Sequence, residues 1–150
     1  ATFFNNLDRV SIHRAKLSEI HSSDLQQFGD KLKNLCARSN DFEILESDLF
    51  RFNPNLIEID FYYNKLKYIE DGTFEGLKEL RAIFFYFYIG TTRHNKVAQN
   101  RNDVLALIPE LESICKDYKF MLKKHQEASK EMTLKLQKIK AQLLMCVSHL

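Results

Sequence analysis

The residues best equipped for chemistry are five histidines (His13, His21, His94, His125, His149) and three cysteines (Cys36, Cys115, Cys146). The histidines form no H-E-x-x-H pair and no other pair at helical ligand spacing, and the cysteines include no C-x-x-C. A metal-ligating set needs such spacing to bring its donors together, so no metal site and no dense disulfide framework are expected. His21-Ser22-Ser23-Asp24 sets a base, two hydroxyls and an acid side by side in sequence. Nucleophilic catalysis needs those groups to converge in space, which adjacency does not provide, and the stretch reads as a polar turn. The four glycines make no phosphate-cradling loop. No catalytic residue, cofactor or small-molecule substrate is expected, and the chain is not expected to be an enzyme.

Binding has more support. Tyr62, Tyr63, Phe84, Tyr86 and Phe87 amount to more aromatic surface than a solvated face usually tolerates, and tyrosine is favoured in protein-binding patches. They act together only if the chain turns them to one side.

A recurring spacing does so. Leu56, Ile59, Phe61, Asn64 and Leu66 read L-x-x-L-x-L-x-x-N-x-L, followed by Ile69, Phe74 and Leu77. The period restarts 24 residues on at Leu80, Ile83 and Phe85; one step back gives Leu32, Leu35, Ala37, Asn40, Phe42, Leu45 and Phe50. A further step of 25 gives Leu7, Val10, Ile12, Ala15, Leu17, Ile20, Leu25 and Phe28. Self-similarity of this kind signals stacked structural repeats, here three full units and the start of a fourth. Each L-x-x-L-x-L segment is a short strand with alternate side chains in the core. Asn40 and Asn64 turn inward to satisfy backbone groups as the chain leaves the strand, while Ala15 and Tyr88 take that place in the end units. Phe50 and Phe74 stack as a spine. Outward positions are then Arg9, Ser11, His13 and Arg14; Asn34, Cys36, Arg38 and Ser39; Glu58, Asp60, Tyr62 and Tyr63; and Ala82, Phe84, Tyr86 and Phe87. This face grades from basic to acidic to aromatic. Either a partner or the chain's own following segment is expected to cover its aromatic end.

Residues 7–88 resemble leucine-rich repeats of the 24-residue extracellular type. Few repeats before a basic helical tail are similar to insect secreted leucine-rich-repeat proteins, including immune proteins with a C-terminal coiled coil. The resemblance implies a short α/β solenoid, a secreted location, and protein recognition through the concave strand face. In such proteins the last repeat often runs into N-x-C, whose Cys is bridged to one ending the next helix. Here Leu80 to Gly90 lacks both that Asn and that Cys, leaving Cys115 as the second half alone.

Residues 89–101 read as a polar loop. Asn102 or Asp103 can cap a helix carrying Val104, Leu105, Leu107 and Ile108, which Pro109 is expected to kink or restart. Beyond it, Leu111, Cys115, Tyr118, Leu122, His125, Ser129, Met132, Leu136, Ile139, Leu143, Cys146 and Leu150 alternate spacings of four and three, a heptad seam. A helix from Pro109 to Leu150 rises about 60 Å, against about 15–20 Å for four stacked strands. Residues 110–150 hold no Gly or Pro for a turn, so the helix is expected to project rather than fold back. Leu122, Met132, Leu136, Ile139 and Leu143 are its association residues, and Lys135 and Lys140 flank them.

Composition agrees. Apolar residues make up 45% of the 150 residues and charged residues 28%, too apolar for wholesale disorder. No run of about 18 apolar residues predicts a membrane-crossing helix. Residues 1–89 carry 11 basic and 14 acidic side chains and residues 90–150 carry 11 and 6, so the tail is the basic part. Asp117, Glu127 and Glu131 break up its lysines and no nucleic-acid partner is expected. The chain begins at Ala1 without a signal-peptide pattern, which fits a processed chain or a fragment. The expectation is a non-enzymatic binding protein: repeats over 1–88, a loop over 89–101, and a helix over 102–150 that pairs with a different chain. The alternatives are a scaffold whose helix mediates assembly, and a nonfunctional fragment of a larger protein.

Overall fold

A computed structural model of the chain describes residues 7–89 and 92–149. Residues 1–6, Gly90, Thr91 and the last seam position, Leu150, lie outside the described residues. The chain divides into two units, Ala1–Cys115 and Lys116–Leu150.

The first unit holds strands β1 (Arg9–Ser11), β2 (Asn34–Cys36), β3 (Ile44–Leu45), β4 (Glu58–Leu66), β5 (Tyr68–Ile69), β6 (Ala82–Ile89) and β7 (Thr92–Ala98). Helix α1 (Ser22–Leu25) runs into a 3-10 segment, Gln26–Lys31, and α2 begins at Arg101 and ends at Ser148. Five strands form one sheet in the order β1-β2-β4-β6-β7, and β3 pairs with β5 in a second. The first four strands of the large sheet are parallel, with Arg9 opposite Asn34, Asn34 opposite Glu58, and Glu58 opposite Ala82. Those partners are 25, 24 and 24 residues apart, the period read from the apolar positions.

Inward residues pack as the period demands. Leu35, Ile59 and Ile83 are buried on successive strands, with Ala37, Phe61 and Phe85 two residues on. Phe61 lies 5.4 Å from Phe42 and 6.2 Å from Phe85 between ring centroids. Phe50 and Phe74 stack at 6.3 Å with planes 23° apart, the expected spine.

Both asparagines turn inward. Asn40 Nδ2 donates to the carbonyls of Ile12 (2.8 Å), Ala37 (3.1 Å) and Arg38 (3.2 Å), and its Oδ1 accepts from the amides of Ala15 and Leu17. Asn64 Nδ2 donates to Ala37 O (2.9 Å) and Phe61 O (3.0 Å), and its Oδ1 accepts from Phe42 N (3.2 Å). Each amide thus ties its own turn to the preceding one. The residue before each Asn, Ser39 and Tyr63, has a positive φ, as does Arg14 before Ala15.

Three expectations are corrected. Residues 89–101 are not a loop: β7 pairs antiparallel with β6 from Ile83–Ala98 to Ile89–Thr92. Tyr88 stands where Asn would bend the chain, so β6 runs on and offers its edge to a returning strand. Asn100, rather than Asn102 or Asp103, starts α2, its Oδ1 accepting from the amide of Asp103 at 2.9 Å, and the helix continues through Pro109. The inward set of the first unit is only partly covered, with Leu7 41% and Leu17 36% exposed. Among the described residues, this first repeat packs against a neighbouring repeat on one side only.

The start of α2 closes the other end of the core. Val104, Leu111 and Cys115 are buried, and Arg101 Nη1 donates to the carbonyls of Leu77 (3.0 Å) and Leu80 (3.1 Å). Lys96 of β7 pairs with Glu110.

In the second unit, α2 continues without a break and its apolar side chains stand exposed. They include the seam residues Leu122, Met132, Leu136, Ile139 and Leu143, and also Leu144, Met145 and Val147. Among the described residues no helix is long and apolar enough to cross a membrane.

Candidate functional site

The strand register builds one face. Ser11, Cys36, Asp60, Phe84 and Val97 are opposite one another in turn across all five strands. Side chains two residues along a strand share a face. The next outward level therefore holds Arg38, Tyr62, Tyr86 and Asn95, and beyond it Tyr88 stands opposite Arg93.

Asp60 is 2% exposed and does not present an acidic surface. Its Oδ2 accepts from Arg38 Nε at 2.5 Å and its Oδ1 from the Tyr62 amide at 3.0 Å. The hydrogen bond that Arg38 donates to Asp60 raises the pKa of Arg38 and holds its guanidinium charged. That guanidinium lies 5.8 Å from the centroid of Tyr62.

From Tyr62 the rings form a chain. Tyr62 and Tyr63 meet edge to face at 4.8 Å, and both contact Tyr86, at 5.9 and 5.7 Å. Tyr86 contacts Tyr88 at 5.6 Å, and Arg93 lies over Tyr88 at 5.5 Å. The result is a strip with an arginine at each end. Tyr63 is 57% exposed, while Tyr86 is enclosed by its neighbours. A recess of about 290 Å³ opens beside the strip, lined by Arg38, Tyr62, Tyr63, Phe84, Val97 and Gln99.

Of the five aromatic residues expected on this face, Tyr62, Tyr63 and Tyr86 come together and Phe84 lines the adjoining recess. Phe87 does not join them. The alternation of β6 carries it inward opposite Leu66, where it is fully buried and 6.2 Å from Phe85. Tyr88 and Arg93 were missed, because both act only once β7 is paired. That strand lies beside β6 and widens the face rather than covering it.

The thiol on this face, Cys36, is not activated as a nucleophile. His13 Nε2 lies 2.6 Å from Ser11 Oγ and 3.8 Å from Cys36 Sγ. Burial pushes the Cys36 thiol pKa up, which keeps it protonated, the opposite of what a thiolate nucleophile needs. No group of three or more His, Cys, Asp or Glu among the described residues could hold a metal ion.

His21-Ser22-Ser23-Asp24 is the start of α1, where the Asp24 carboxylate accepts from the His21 amide at 2.8 Å. His21 Nδ1 lies 3.2 Å from Glu46 Oε2. The hydrogen bond and the charge of Glu46 raise the His21 pKa above the ordinary 6.5. This contact contributes stability at pH below the unfolded value and loses it as pH rises through the folded one. An NMR titration is expected to place the His21 midpoint above 6.5, and Glu46→Gln to return it toward that value. An unchanged midpoint in the variant rules out the Glu46 contact as the cause.

No curated protein and no solved structure matches the chain. The family model described as leucine rich repeat matches residues 30–84, the stretch that holds β2, β4, both inward asparagines and the Phe50–Phe74 stack, and it supports a leucine-rich-repeat protein.

Proposed function

We propose that the chain is a non-enzymatic protein-binding module that recognises its partner through the outward face of the five-stranded sheet, with α2 as a second element of association. Leucine-rich-repeat domains commonly mediate protein–protein binding, and the strand face is the usual surface for it. The observation that carries the reading is the strip of four tyrosines between Arg38 and Arg93. Tyrosine and arginine are the residues that dominate binding energy at protein interfaces. A secreted location, implied by the resemblance to insect secreted proteins, belongs to the same proposal.

Proteins captured by the intact chain from extracellular fluid, once identified, supply the test. Tyr62→Ala with Tyr63→Ala is expected to weaken their binding by about 100-fold, two hot-spot side chains being lost. Tyr63 is exposed and Tyr62 half-buried, so the melting temperature should move little. Unchanged affinity in the double variant refutes recognition by this face.

The exposed apolar residues of α2 favour a second reading, in which the helix mediates assembly and the repeats anchor it. With Leu122, Leu136 and Leu143 at position a of the heptad, and Met132 and Ile139 at d, Lys135 and Lys140 flank the seam at g and e. A parallel in-register homodimer sets Lys135 of one chain against Lys140 of the other, twice by symmetry. Like charges there disfavour self-pairing and select a partner with acidic flanks. Sedimentation of the full chain with reductant at micromolar concentration is expected to show a monomer. A dimer that persists at low salt overturns the heteromeric pairing.

A further inference from the structure

The two arginines that end the tyrosine strip are held differently, yet both keep charge available. Arg38 uses Nε on Asp60, and its Nη1 and Nη2 have no partner among the described residues. Asp60 is buried, so the salt bridge fixes the guanidinium from beneath instead of competing for it at the surface. Arg93 lies over Tyr88 and makes no ion pair among the described residues. Terminal guanidinium nitrogens present a planar fork that matches a carboxylate through two parallel hydrogen bonds. The face is thus cationic at both ends of an apolar strip, although residues 1–89 as a whole carry more acidic than basic groups.

We propose that this strip binds an extended, acidic segment of a protein partner, with one carboxylate on Arg38, another on Arg93, and apolar side chains between them on the tyrosines. The inference rests on the sheet face being the binding surface and specifies what that surface takes. Arg38 continues β2, and Arg93 lies on β7, three strands away. At about 4.8 Å per strand the two are about 15 Å apart, which an extended segment spans with about four or five residues. The recess beside Tyr62 and Phe84, about 290 Å³, is of a size for one side chain. It lies at the lower edge of the range, about 300–1,000 Å³, typical of small-molecule sites.

A display library of random linear peptides, selected on the intact chain, tests this without a known partner. Enriched peptides are expected to carry two acidic residues four or five positions apart with apolar or aromatic residues between. A selected peptide, followed by fluorescence anisotropy, should bind Arg93→Gln about tenfold more weakly and lose much of its affinity as salt rises. Arg38→Lys serves as the companion variant, because it keeps a cation for the buried Asp60 while removing the fork; it too should weaken binding. Enrichment of basic or neutral peptides that still lose binding in the Tyr62→Ala, Tyr63→Ala variant overturns the acidic partner and leaves the binding face standing. Selected peptides indifferent to the tyrosines overturn both. Enrichment of no peptide, or unchanged binding by Arg93→Gln, also overturns the acidic partner.

Discussion

Replacing Phe85 by Ala lowers the unfolding free energy of the repeat unit by about 3–5 kcal/mol, the usual cost of deleting a fully buried aromatic ring. Phe85 has no exposure and contacts Phe61, Phe74 and Phe87 at 6.2, 5.8 and 6.2 Å. Those three rings belong to β4, the segment after β5, and β6, so the cavity would open where separate parts of the chain meet. Such a site cannot relax by moving one element. Denaturant unfolding of wild type and variant measures the loss, and a change below about 1 kcal/mol is incompatible with a buried ring at this position.

The second large effect is polar. Asn64→Ala is expected to cost about 2–4 kcal/mol, since each buried group left without a hydrogen bond costs about 1–3 kcal/mol and relaxation recovers part of it. The groups that lose this side chain are the Phe42 amide and the Phe61 carbonyl, while the Ala37 carbonyl keeps its bond from Asn40 Nδ2. Lys65→Ala, one residue on, removes an exposed ion pair to Asp41 at 3.0 Å and should change stability by less than about 0.5 kcal/mol. Equal losses at the two positions contradict the register, because only one of these side chains faces the backbone of the preceding turn.

These residues also mark how far a sequence alone reaches. Asn40, Asn64, Phe50 and Phe74 were legible because a repeat imposes the same environment every 24 residues, and each copy vouches for the others. Phe87 and β7 lie where that mutual support stops. Taking Phe87 as equivalent to Tyr63 placed it outward at a bend. Without the asparagine the strand keeps its two-residue alternation and turns Phe87 inward. The segment Thr92–Ala98 reads T-R-H-N-K-V-A, and nothing in it is apolar enough to announce a strand; only the edge of β6 makes it one. Asp60 was expected as acidic surface because its position on the strand is outward. Its burial depends on Arg38, 22 residues earlier, a pairing that no local pattern encodes. The tyrosine strip was visible as composition, but its two ends were not, since Arg93 joins it through β7.

The bend position also fixes how the molecule can grow. Each asparagine passes the chain on to another parallel strand in the same register, and Tyr88 ends the series by sending it back on itself. The outer edge at β7 carries Arg93 and Lys96, charges that discourage further strand addition. The middle is under no such restriction. Duplicating residues 56–79 in tandem inserts one complete period, preserves every neighbour relation on either side, and widens the face by about 4.8 Å. The interior is therefore extensible in whole 24-residue increments, whereas the hairpin after Tyr88 is a fixed terminus. Width and ending are separate properties of this chain, altered by different kinds of genetic change: duplication for one, a single substitution at residue 88 for the other.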